Sequence, residues 1–459
     1  MRRRLIALLL VAALLVLSAA AAKAENVDTY GIGSKATALG GAFSAYADDP
    51  FATYYNPAGL TQITRSQLSL GANLIRPSMQ VSNYRVTGLT PPLSLGPSDF
   101  LDQSNAIAVP HLGFAIPLNK SFTAGVGIFV PYGFDIKWPG TPDAPGAYNA
   151  HHVWYMRQVI TPSLGWRLTE KLSLGAGVSL GKSAAGAESL AFAPFIGNLH
   201  NRQIEMDLKD DANWSLNFGV LYKPLPSLAA GLTYRGYTRT DFTGTAKAVG
   251  LNGADTLSVP AFGLAGPVQN TVVNAETRID HPEQVQAGLR YLPLGRLSLE
   301  VDLVWTRWSR INGYTVTFDK PFLDAPALGP FNPGKISEFC PRNWQDTTQV
   351  RFGAEWQVNK ILALRGSYFY DPTPIPDSSL DLQWPDADKR TFALGLGLDF
   401  GKLSVDGVVQ YAVTDGQREI AGQSTGLNSS YAGGGGSPSV SFSAEGHVWN
   451  GGITINYKF

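Results

Sequence analysis

The segment EQVQAGLRYLPLGRLSLEVDLVW (residues 283–305) contains the unit from which most of the chain is built. Two stretches of alternating apolar and polar residues flank a tight turn at residues 293–295. Successive side chains of a β-strand point to opposite faces, so the second stretch presents one apolar face and one face that carries Glu300 and Asp302. A strand of a soluble sheet shows the same alternation. The fold is therefore decided by how often, and at what spacing, this unit recurs.

The unit recurs from residue 65 to the last residue. Alternating segments of about ten residues, the length that a transmembrane β-strand needs, predict fourteen strands. No second sheet and no long amphipathic helix is predicted that could cover their apolar faces, which favours a membrane as their environment. The predicted strands are residues 67–79, 106–118, 121–134, 153–168, 172–182, 214–222, 228–241, 283–292, 296–308, 345–358, 361–370, 390–400, 403–414 and 447–459.

The spacers between these strands alternate in length. Outer-membrane barrels have short periplasmic turns and longer extracellular loops. The sequence thus predicts an all-β fold, a 14-stranded antiparallel transmembrane β-barrel (residues 65–459), in the outer membrane of a Gram-negative bacterium. The tight turns are residues 119–120, 169–171, 223–227, 293–295, 359–360 and 401–402, and the long loops include residues 309–344 and 415–446.

The first 24 residues have the features of a secretory signal peptide. Three arginines precede an apolar run at residues 5–17, and Ala22-Lys23-Ala24 fits a cleavage site. The run is too short for a transmembrane helix. We expect the mature chain to begin at Glu25.

Composition excludes several classes of protein. The chain has 36 basic and 36 acidic residues, and the predicted leader holds four of the basic ones, so no nucleic-acid partner is indicated. Cys340 is the only cysteine, which excludes an intramolecular disulfide and a cysteine-based metal site.

Between the leader and the first strand lies YGIGSKATALGGAFSAYADDPFATYYNPAGL (residues 30–60). Its alanines and glycines predict a short helix within residues 34–46 that packs closely against other surfaces. Asp49-Pro50 predicts a second helix start, Pro57 the end of that helix, and Gly59 a chain reversal. Two compact helices ahead of a barrel indicate a plug. Residues 25–64 are therefore predicted to form a small N-terminal helical hatch.

These features resemble the FadL family of outer-membrane transporters for long-chain fatty acids and other hydrophobic molecules. The resemblance is densest in ATALGGAFSAYADDPFATYYNPAGLT (residues 36–61), and it recurs in VPYGFDIKWPG (130–140) and LQWPDADKR (382–390). It implies that Asn56, Pro57, Ala58 and Gly59 belong to a hatch that gates the barrel. It also implies that substrate binds among the extracellular loops, passes to an inner site, and leaves sideways beside a kinked third strand.

The third predicted strand contains residues that fit such a kink. Gly125, Gly127, Pro131 and Gly133 lie along it, and Pro110 lies on the strand before it. Proline removes a donor from the ladder and glycine permits a bend, so a lateral opening is predicted here. The alternative is that Pro131 lies just beyond the strand, at the loop rim.

Two long loops are unusually apolar. Exposed apolar patches often mark a binding surface, so these loops are candidates for substrate capture. The alternative is that they pack on each other and cap the barrel. The candidate residues are Leu190, Phe192, Phe195 and Ile196 in residues 189–199, and Phe262 and Leu264 in residues 244–274.

Charged residues at lumen-facing positions form another candidate site. An arginine without an acidic partner binds a carboxylate through two parallel hydrogen bonds. The alternative is structural pairing, with neighbouring acids or with Asp48 and Asp49 of the hatch. The candidate arginines are Arg235, Arg290, Arg351 and Arg365, and the nearby acids are Glu300, Asp302 and Glu355.

Motifs for catalysis or cofactor binding are not evident. His151-His152 lacks the ligand spacing of a metal site, and no G-x-S-x-G nucleophile elbow occurs. Gly31-x-Gly33-x-x-Ala36 resembles a dinucleotide fingerprint but follows no strand. We therefore expect no enzyme activity, no cofactor and no metal.

The sequence and the resemblance together predict passive uptake of long-chain fatty acids or related hydrophobic molecules, by loop capture, hatch gating and lateral exit. One alternative is a channel for aromatic or aliphatic hydrocarbons. An alternative of another class is a structural or adhesive barrel whose plug never opens. The expected partners are the hydrophobic ligand, outer-membrane lipid and the barrel assembly machinery, because a terminal strand ending on Phe459 resembles the signal that this machinery reads.

Overall fold

The computed structural model describes residues 31–90 and 93–459; the predicted signal peptide lies outside these residues. In the described part, fourteen antiparallel strands form one closed barrel, which confirms the predicted fold. Sequential neighbours pair, and β1 also pairs with β14 from Gln67–Lys458 to Thr87–Ser439, which closes the wall. The strands are β1 (Gln67–Thr87), β2 (Ile107–Pro117), β3 (Phe122–Lys137), β4 (His152–Arg167), β5 (Leu172–Leu190), β6 (Gln203–Leu225), β7 (Leu228–Arg235), β8 (Gln284–Leu294), β9 (Leu297–Thr306), β10 (Thr347–Gln357), β11 (Leu362–Asp371), β12 (Lys389–Asp399), β13 (Leu403–Thr414) and β14 (Ser439–Lys458).

The two faces of the wall differ as the alternation predicts. On β9, Leu299, Val301 and Leu303 are 39–48% exposed on the outside. Glu300 and Asp302 face the lumen and are at most 1% exposed. The apolar side chains therefore form the surface that contacts lipid.

Several strands extend well beyond the membrane. β1, β5, β6 and β14 contain 19 to 23 residues, about twice the length that a crossing needs. The alternation predicts β6 only from residue 214, but the strand begins at Gln203. Its upper half faces water on the outside, where Lys209 and Asp211 are exposed, so the apolar face that marks a membrane strand is missing there.

The long connections fold into an extracellular cap with its own apolar core. Its shorter strands are Leu95–Leu101, Asp241–Ala248, Thr256–Val259, Leu264–Pro267, Val272–Arg278, Gly313–Phe322, Lys335–Pro341 and Arg418–Ala421. Its helical turns are Pro145–Tyr148, Pro260–Phe262, Trp308–Arg310, Pro326–Phe331, Thr425–Ser429 and Ala432–Gly434.

The hatch segment fills the lower lumen with short helices, α1 (Ser34–Ala38), α2 (Ala52–Tyr55) and a 3-10 helix (Pro57–Gln62). The predicted helix over residues 34–46 ends early because Gly40 and Gly41 take left-handed φ angles of 65° and 71°. Among the described residues, no helix is long and apolar enough to cross a membrane.

The second predicted helix start and stop also need correction. The Asp49 carboxylate accepts a hydrogen bond from the Phe51 N–H (2.8 Å), but α2 begins only at Ala52. Pro57 does more than end α2, because it begins the 3-10 helix. Gly59 does not reverse the chain: it lies inside that helix, and a Cβ there would stand 2.3 Å from the Ala47 carbonyl oxygen.

Candidate functional site

The barrel wall is interrupted between β2 and β3. Their ladder runs from Pro117–Thr123 to Leu112–Ile128 and stops there. Above this point, residues 107–111 of β2 pair with β1, and residues 129–137 of β3 pair with β4. No ladder joins these two described segments to each other, so the wall has a gap in its backbone pairing, which we call the window. Residues 129–136 at its edge are all buried. The window closes again at the top, where the Gln103 N–H donates to the Lys137 carbonyl (2.7 Å).

A β-bulge lies on β3 at the edge of this window. Phe129 pairs with Val159, and the next pair is Tyr132 with Arg157. Val130 and Pro131 thus oppose a single residue of β4, which bends the strand. Pro131 lies within β3, which continues to Lys137, and not at the loop rim.

The glycines assigned to the kink lie elsewhere. Gly125 and Gly127 are in regular pairing below the bulge, and a Cβ at either position would approach Leu60 or Thr53 of the hatch segment within 2.8 Å. They make room for the hatch. Gly133 lies above the bulge and pairs with Met156.

Phe129 forms the inner lip of the window. Its ring is buried and meets the ring of Tyr54 on α2 edge-on, with centroids 5.5 Å apart. A Cβ at Gly127 would stand 2.7 Å from the Phe129 ring, so glycine allows the ring to fold down over the hatch. The window is thus bordered by an aromatic side chain that rests on α2.

An apolar chamber lies above this level, inside the upper barrel. It encloses about 970 Å³ including its open mouth, and aromatic and aliphatic side chains form most of its surface. The lining includes Met79, Phe134, Trp138, Leu382, Trp384 and Phe442.

Residues 379–389 form one wall of the chamber and are held by a buried ion pair. Arg342 donates to Asp381 (2.6 Å), and both side chains are 3% exposed. The other oxygen of Asp381 accepts a hydrogen bond from the backbone N–H of Trp384 (2.9 Å), which fixes the turn that carries this residue. Burial alone would lower the pKa of Arg342, but the Asp381 carboxylate raises it above its usual range. Sequence reasoning missed Arg342, which lies in a loop without periodicity.

Replacing Arg342 by Gln is expected to release this wall. Removing one partner of a buried ion pair costs about 3–5 kcal/mol, so residues 379–389 become susceptible to protease and ligand affinity falls. Limited proteolysis and ligand titration measure both effects. Arg390→Gln is the matched control, because Arg390 pairs with Asp415 at an exposed position. Equal protease resistance of both variants would show that the pair does not hold the loop.

Arg157, which the sequence prediction did not include, faces the lumen next to the bulge, where it pairs with Tyr132. It is 3% exposed, and its Nε donates to the Asn213 side chain (2.8 Å). Its Nη2 is buried and has no hydrogen-bond partner in the described structure. A buried guanidinium nitrogen without an acceptor is costly, which indicates a ligand site.

Aromatic and imidazole rings surround this guanidinium. Tyr132 stacks on His281 with centroids 4.5 Å apart, and the Tyr155 hydroxyl lies 2.9 Å from His281 Nε2. Burial, with a further effect of Arg157, lowers the pKa of His281 well below its usual range, so this ring is neutral. The positive charge near the window thus belongs to Arg157.

The four predicted arginines are bound within the protein. Arg365 pairs with Glu355 and Asp406 at 2.6 Å each, and Arg290 lies 3.3 Å from Glu300 and over the Tyr46 ring.

The other two arginines contact the hatch. Arg235 donates to Gln284, Gln286 and the Tyr54 carbonyl. Arg351 donates to Gln349 and reaches Gly41. Neither lies within ion-pair distance of a described carboxylate in the structure.

The hatch acids do not pair with the lumen arginines. Asp48 pairs with Lys35 (2.7 Å), and Asp49 accepts from the hatch backbone. A different residue joins the hatch to the wall network: the Tyr46 hydroxyl donates to Glu355 (2.5 Å).

The hatch motif Asn56-Pro57-Ala58-Gly59 is buried and fits tightly into the wall. The Asn56 amide donates to the Ser44 carbonyl (2.7 Å) and to the Val220 carbonyl of β6 (3.0 Å). A Cβ at Gly219 would stand 2.1 Å from the Asn56 side-chain oxygen, and one at Gly175 would stand 2.2 Å from the Ala58 nitrogen. The motif therefore anchors the hatch to β5 and β6.

Replacing Gly219 by Val is expected to displace the hatch. Overpacking costs about 1–3 kcal/mol, and here the added carbons strike the side chain that anchors the motif. Ion conductance through the reconstituted protein should rise severalfold as the plug loosens. Gly407→Val is the control, because nothing lies within 4 Å of a Cβ at Gly407. Unchanged conductance in Gly219→Val would mean that the hatch tolerates displacement of its motif.

The predicted capture residues divide into two groups. Leu190 and Phe192 are buried in the apolar core of the cap, where Phe192 packs on Tyr431. Ile196 and Leu264 are partly buried against the same core. Phe195 is 45% exposed and Phe262 is 64% exposed. The four buried or partly buried residues thus cap the barrel. Only the exposed rings of Phe195 and Phe262 are available to a ligand in solution.

Comparison with known proteins identifies the family. The sequence model of the family described as "Outer membrane protein transport protein (OMPP1/FadL/TodX)" matches residues 13–459. The long-chain fatty acid transport protein of Escherichia coli O6:H1 (strain CFT073) is 25% identical over 454 residues, 92% of each chain. The fold is similar to the crystal structure of a Pseudomonas aeruginosa FadL homologue, with a TM-score of 0.74 and 19% identity, covering 95% of this chain and 99% of that one. It is also similar to the CymD monoaromatic hydrocarbon channel, with a TM-score of 0.64 and 16% identity, covering 95% and 99%. The chain therefore belongs to the OMPP1/FadL/TodX family of outer-membrane proteins and is a transporter of fatty acids or other hydrophobic compounds, not an enzyme.

Proposed function

We propose that this transporter takes up long-chain fatty acids and that Arg157 binds their carboxylate. The observation that carries the proposal is the buried Arg157 Nη2, which lacks an acceptor although an apolar chamber lies nearby. A carboxylate supplies that acceptor and a compensating charge, whereas a hydrocarbon supplies neither. The E. coli relative is named for long-chain fatty acid transport, which agrees with this choice.

The proposed route begins at the cap. The exposed rings of Phe195 and Phe262 bind the acyl chain first. The chain then enters the chamber beside Trp384, and its carboxylate reaches Arg157. Transport needs no coupled energy source, because the concentration gradient and the burial of apolar surface supply the driving force.

We further propose that the ligand leaves through the window between β2 and β3. Arg157 pairs with Tyr132 at the bulge, so a bound carboxylate lies at the height of the opening. The Phe129 ring, which rests on Tyr54, moves aside to let the acyl chain pass into the membrane.

The hatch gates this route from below. Asn56, Pro57, Ala58 and Gly59 hold it against β5 and β6, so only small shifts of the hatch are possible without breaking that anchor. A shift of α2 changes the support of the Phe129 ring. We therefore assign gating to the contact between Tyr54 and Phe129, with the motif as the fixed point.

Paired uptake assays test the substrate. The intact protein is produced in cells that lack their own transporter, and uptake of labelled palmitate is compared with uptake of labelled toluene and hexadecane. Outer-membrane insertion is checked by the heat-dependent gel mobility of the folded barrel. Saturable palmitate uptake supports the proposal. Uptake of the hydrocarbons alone would overturn it.

A hydrocarbon channel is the second candidate. The apolar lining of the chamber favours it, and the similarity to CymD shows that this fold occurs in a monoaromatic hydrocarbon channel. A hydrocarbon ligand, however, would make no hydrogen bond to the Arg157 guanidinium. A structural or adhesive barrel, the candidate of another class, predicts no uptake of any of the three compounds by the inserted protein.

The terminal strand has a proposed partner of its own. Phe459 packs edge-on against Tyr457, with ring centroids 4.9 Å apart, at the end of β14. We infer that the barrel assembly machinery reads this aromatic end.

A further inference from the structure

The wall is interrupted a second time, beside β6. The ladder between β6 and β7 ends at Asn217–Arg235, and β6 pairs again only at Lys209–Thr243, with the loop strand Asp241–Ala248. Residues 237–240 between these points turn toward the chain that leads into β8. There the Thr238 N–H donates to the His281 carbonyl (3.1 Å). A recess of about 1020 Å³, its open side included, is left in the outer surface.

The recess lies at the upper membrane interface. Trp214 stands about one transmembrane strand length above the periplasmic turn that follows β6. The aromatic side chains that line the recess are Trp214, Phe218, Tyr234 and Tyr237, which are 39–62% exposed. Rings at this depth are typical of the girdle of a barrel. Aromatic residues at the membrane interface do not require an interruption of strand pairing, so they do not explain the recess.

Arg239 lies at the mouth of the recess with Asp210 and Asp241, and Arg278 reaches Asp241 from the neighbouring cavity. Arg239 and Arg278 each donate Nε to Asp241, at 2.6 and 2.7 Å, and their side chains remain 60% and 50% exposed. The guanidinium of Arg310 lies 4.3 Å from the centre of the Tyr237 ring and is paired with Glu283 (2.8 Å). The carboxylate of Asp210 accepts backbone N–H groups of Ala212 and Asp241. The carboxylates of Asp210 and Asp241 thus accept hydrogen bonds from the protein, while Arg239 and Arg278 bind Asp241 through Nε and keep at least half of their side chains exposed.

The recess is closed toward the lumen. Asn213 lies behind it, is 5% exposed, and binds both Arg157 (2.8 Å) and the Ser183 hydroxyl (3.1 Å). A molecule in the recess therefore comes from the membrane and returns to it.

We propose that this recess binds one anionic lipid of the outer leaflet. Its acyl chain lies along the exposed rings of Trp214 and Phe218, and its anionic head accepts hydrogen bonds from Arg239 and Arg278. Asn213 separates this site from Arg157, and the bound lipid fills the break that the ladder leaves beside β6.

Lipid titration of the purified full-length protein tests the site. Phosphatidylglycerol carrying brominated acyl chains is added in detergent, bound lipid is counted by native mass spectrometry, and quenching of Trp214 is followed by fluorescence against Trp214→Phe. We expect one saturable lipid, bound about tenfold more weakly by Arg239→Gln/Arg278→Gln because two charge-assisted contacts are lost. Arg390→Gln, another exposed arginine paired with an aspartate, should bind as the parent does.

Three results would overturn the proposal. Equal binding of phosphatidylcholine would show that the site does not recognise an anionic head. Equal affinity of the double variant would show that Arg239 and Arg278 do not bind the lipid. Displacement of the lipid by stoichiometric palmitate would assign the recess to the substrate instead. Palmitate uptake is scored separately, so failure of the lipid site leaves the proposed function untouched.

Discussion

Deletion of Pro131 is expected to stop lateral release while the barrel remains intact. The bulge places two residues of β3 opposite one residue of β4. Removing Pro131 leaves Val130 opposite Gln158 and keeps Tyr132 opposite Arg157, so the strand becomes regular. A straight β3 can then pair with residues 107–111 of β2 and close the window. Palmitate uptake should fall about tenfold or more, because lateral exit depends on the unpaired edges that the bulge creates.

The matched control for this deletion is Pro131→Val. It restores a backbone N–H but keeps the extra residue, so the bulge and the window persist. Uptake by Pro131→Val should stay near the parental rate, with both variants inserted at equal levels. Parental uptake in the deletion variant would show that the ligand does not leave between β2 and β3.

Replacing Arg157 by Gln is expected to weaken fatty acid binding selectively. Glutamine can still bond Asn213, but it cannot offer a charged fork to a carboxylate. Hydrogen bonds to charged groups contribute about 1.5–3 kcal/mol, which corresponds to roughly 10- to 100-fold weaker binding. Titration with palmitate measures the loss.

The uncharged analogue hexadecane separates binding from folding in this variant. Its affinity should be equal in the parent and in Arg157→Gln, because an alkane makes no hydrogen bond to the guanidinium. An equal loss of affinity for palmitate and hexadecane would show that Arg157 supports the structure of the chamber and does not recognise the head of the ligand.

The barrel could be predicted because its signal is repeated and local. Each transmembrane strand carries its own alternation, and a crossing needs a nearly fixed number of residues. The alternation does not predict the upper half of β6, because the outer face of that half contacts water and is not apolar. The details of the hatch could not be predicted for another reason. α1 ends at Gly40 and Gly41. Gly59 is needed because the Ala47 carbonyl leaves no room for a side chain there, and no local propensity encodes such a contact.

Residues of the site could be predicted from the sequence only where the chemistry of the residue itself indicates its role. Pro131 lacks a backbone donor, so its effect on the ladder is visible in the sequence. Arg157 occupies a lumen-facing position like several other arginines, and alternation alone cannot distinguish them. What distinguishes it is the placement of Asn213 on β6, two strands away, which occupies Nε and leaves Nη2 without an acceptor. Such a difference arises from tertiary geometry.

The seam between β1 and β14 has a consequence for the order of folding. β14 follows the other barrel strands in chain order, so the wall becomes continuous only when β14 pairs with β1 along 19 residues. The hatch immediately precedes β1 and fits against Gly175 and Gly219 with no clearance. Because the hatch fits so closely in the folded protein, we expect it to enter the lumen before the last strand completes the ring, so that the cylinder closes around it.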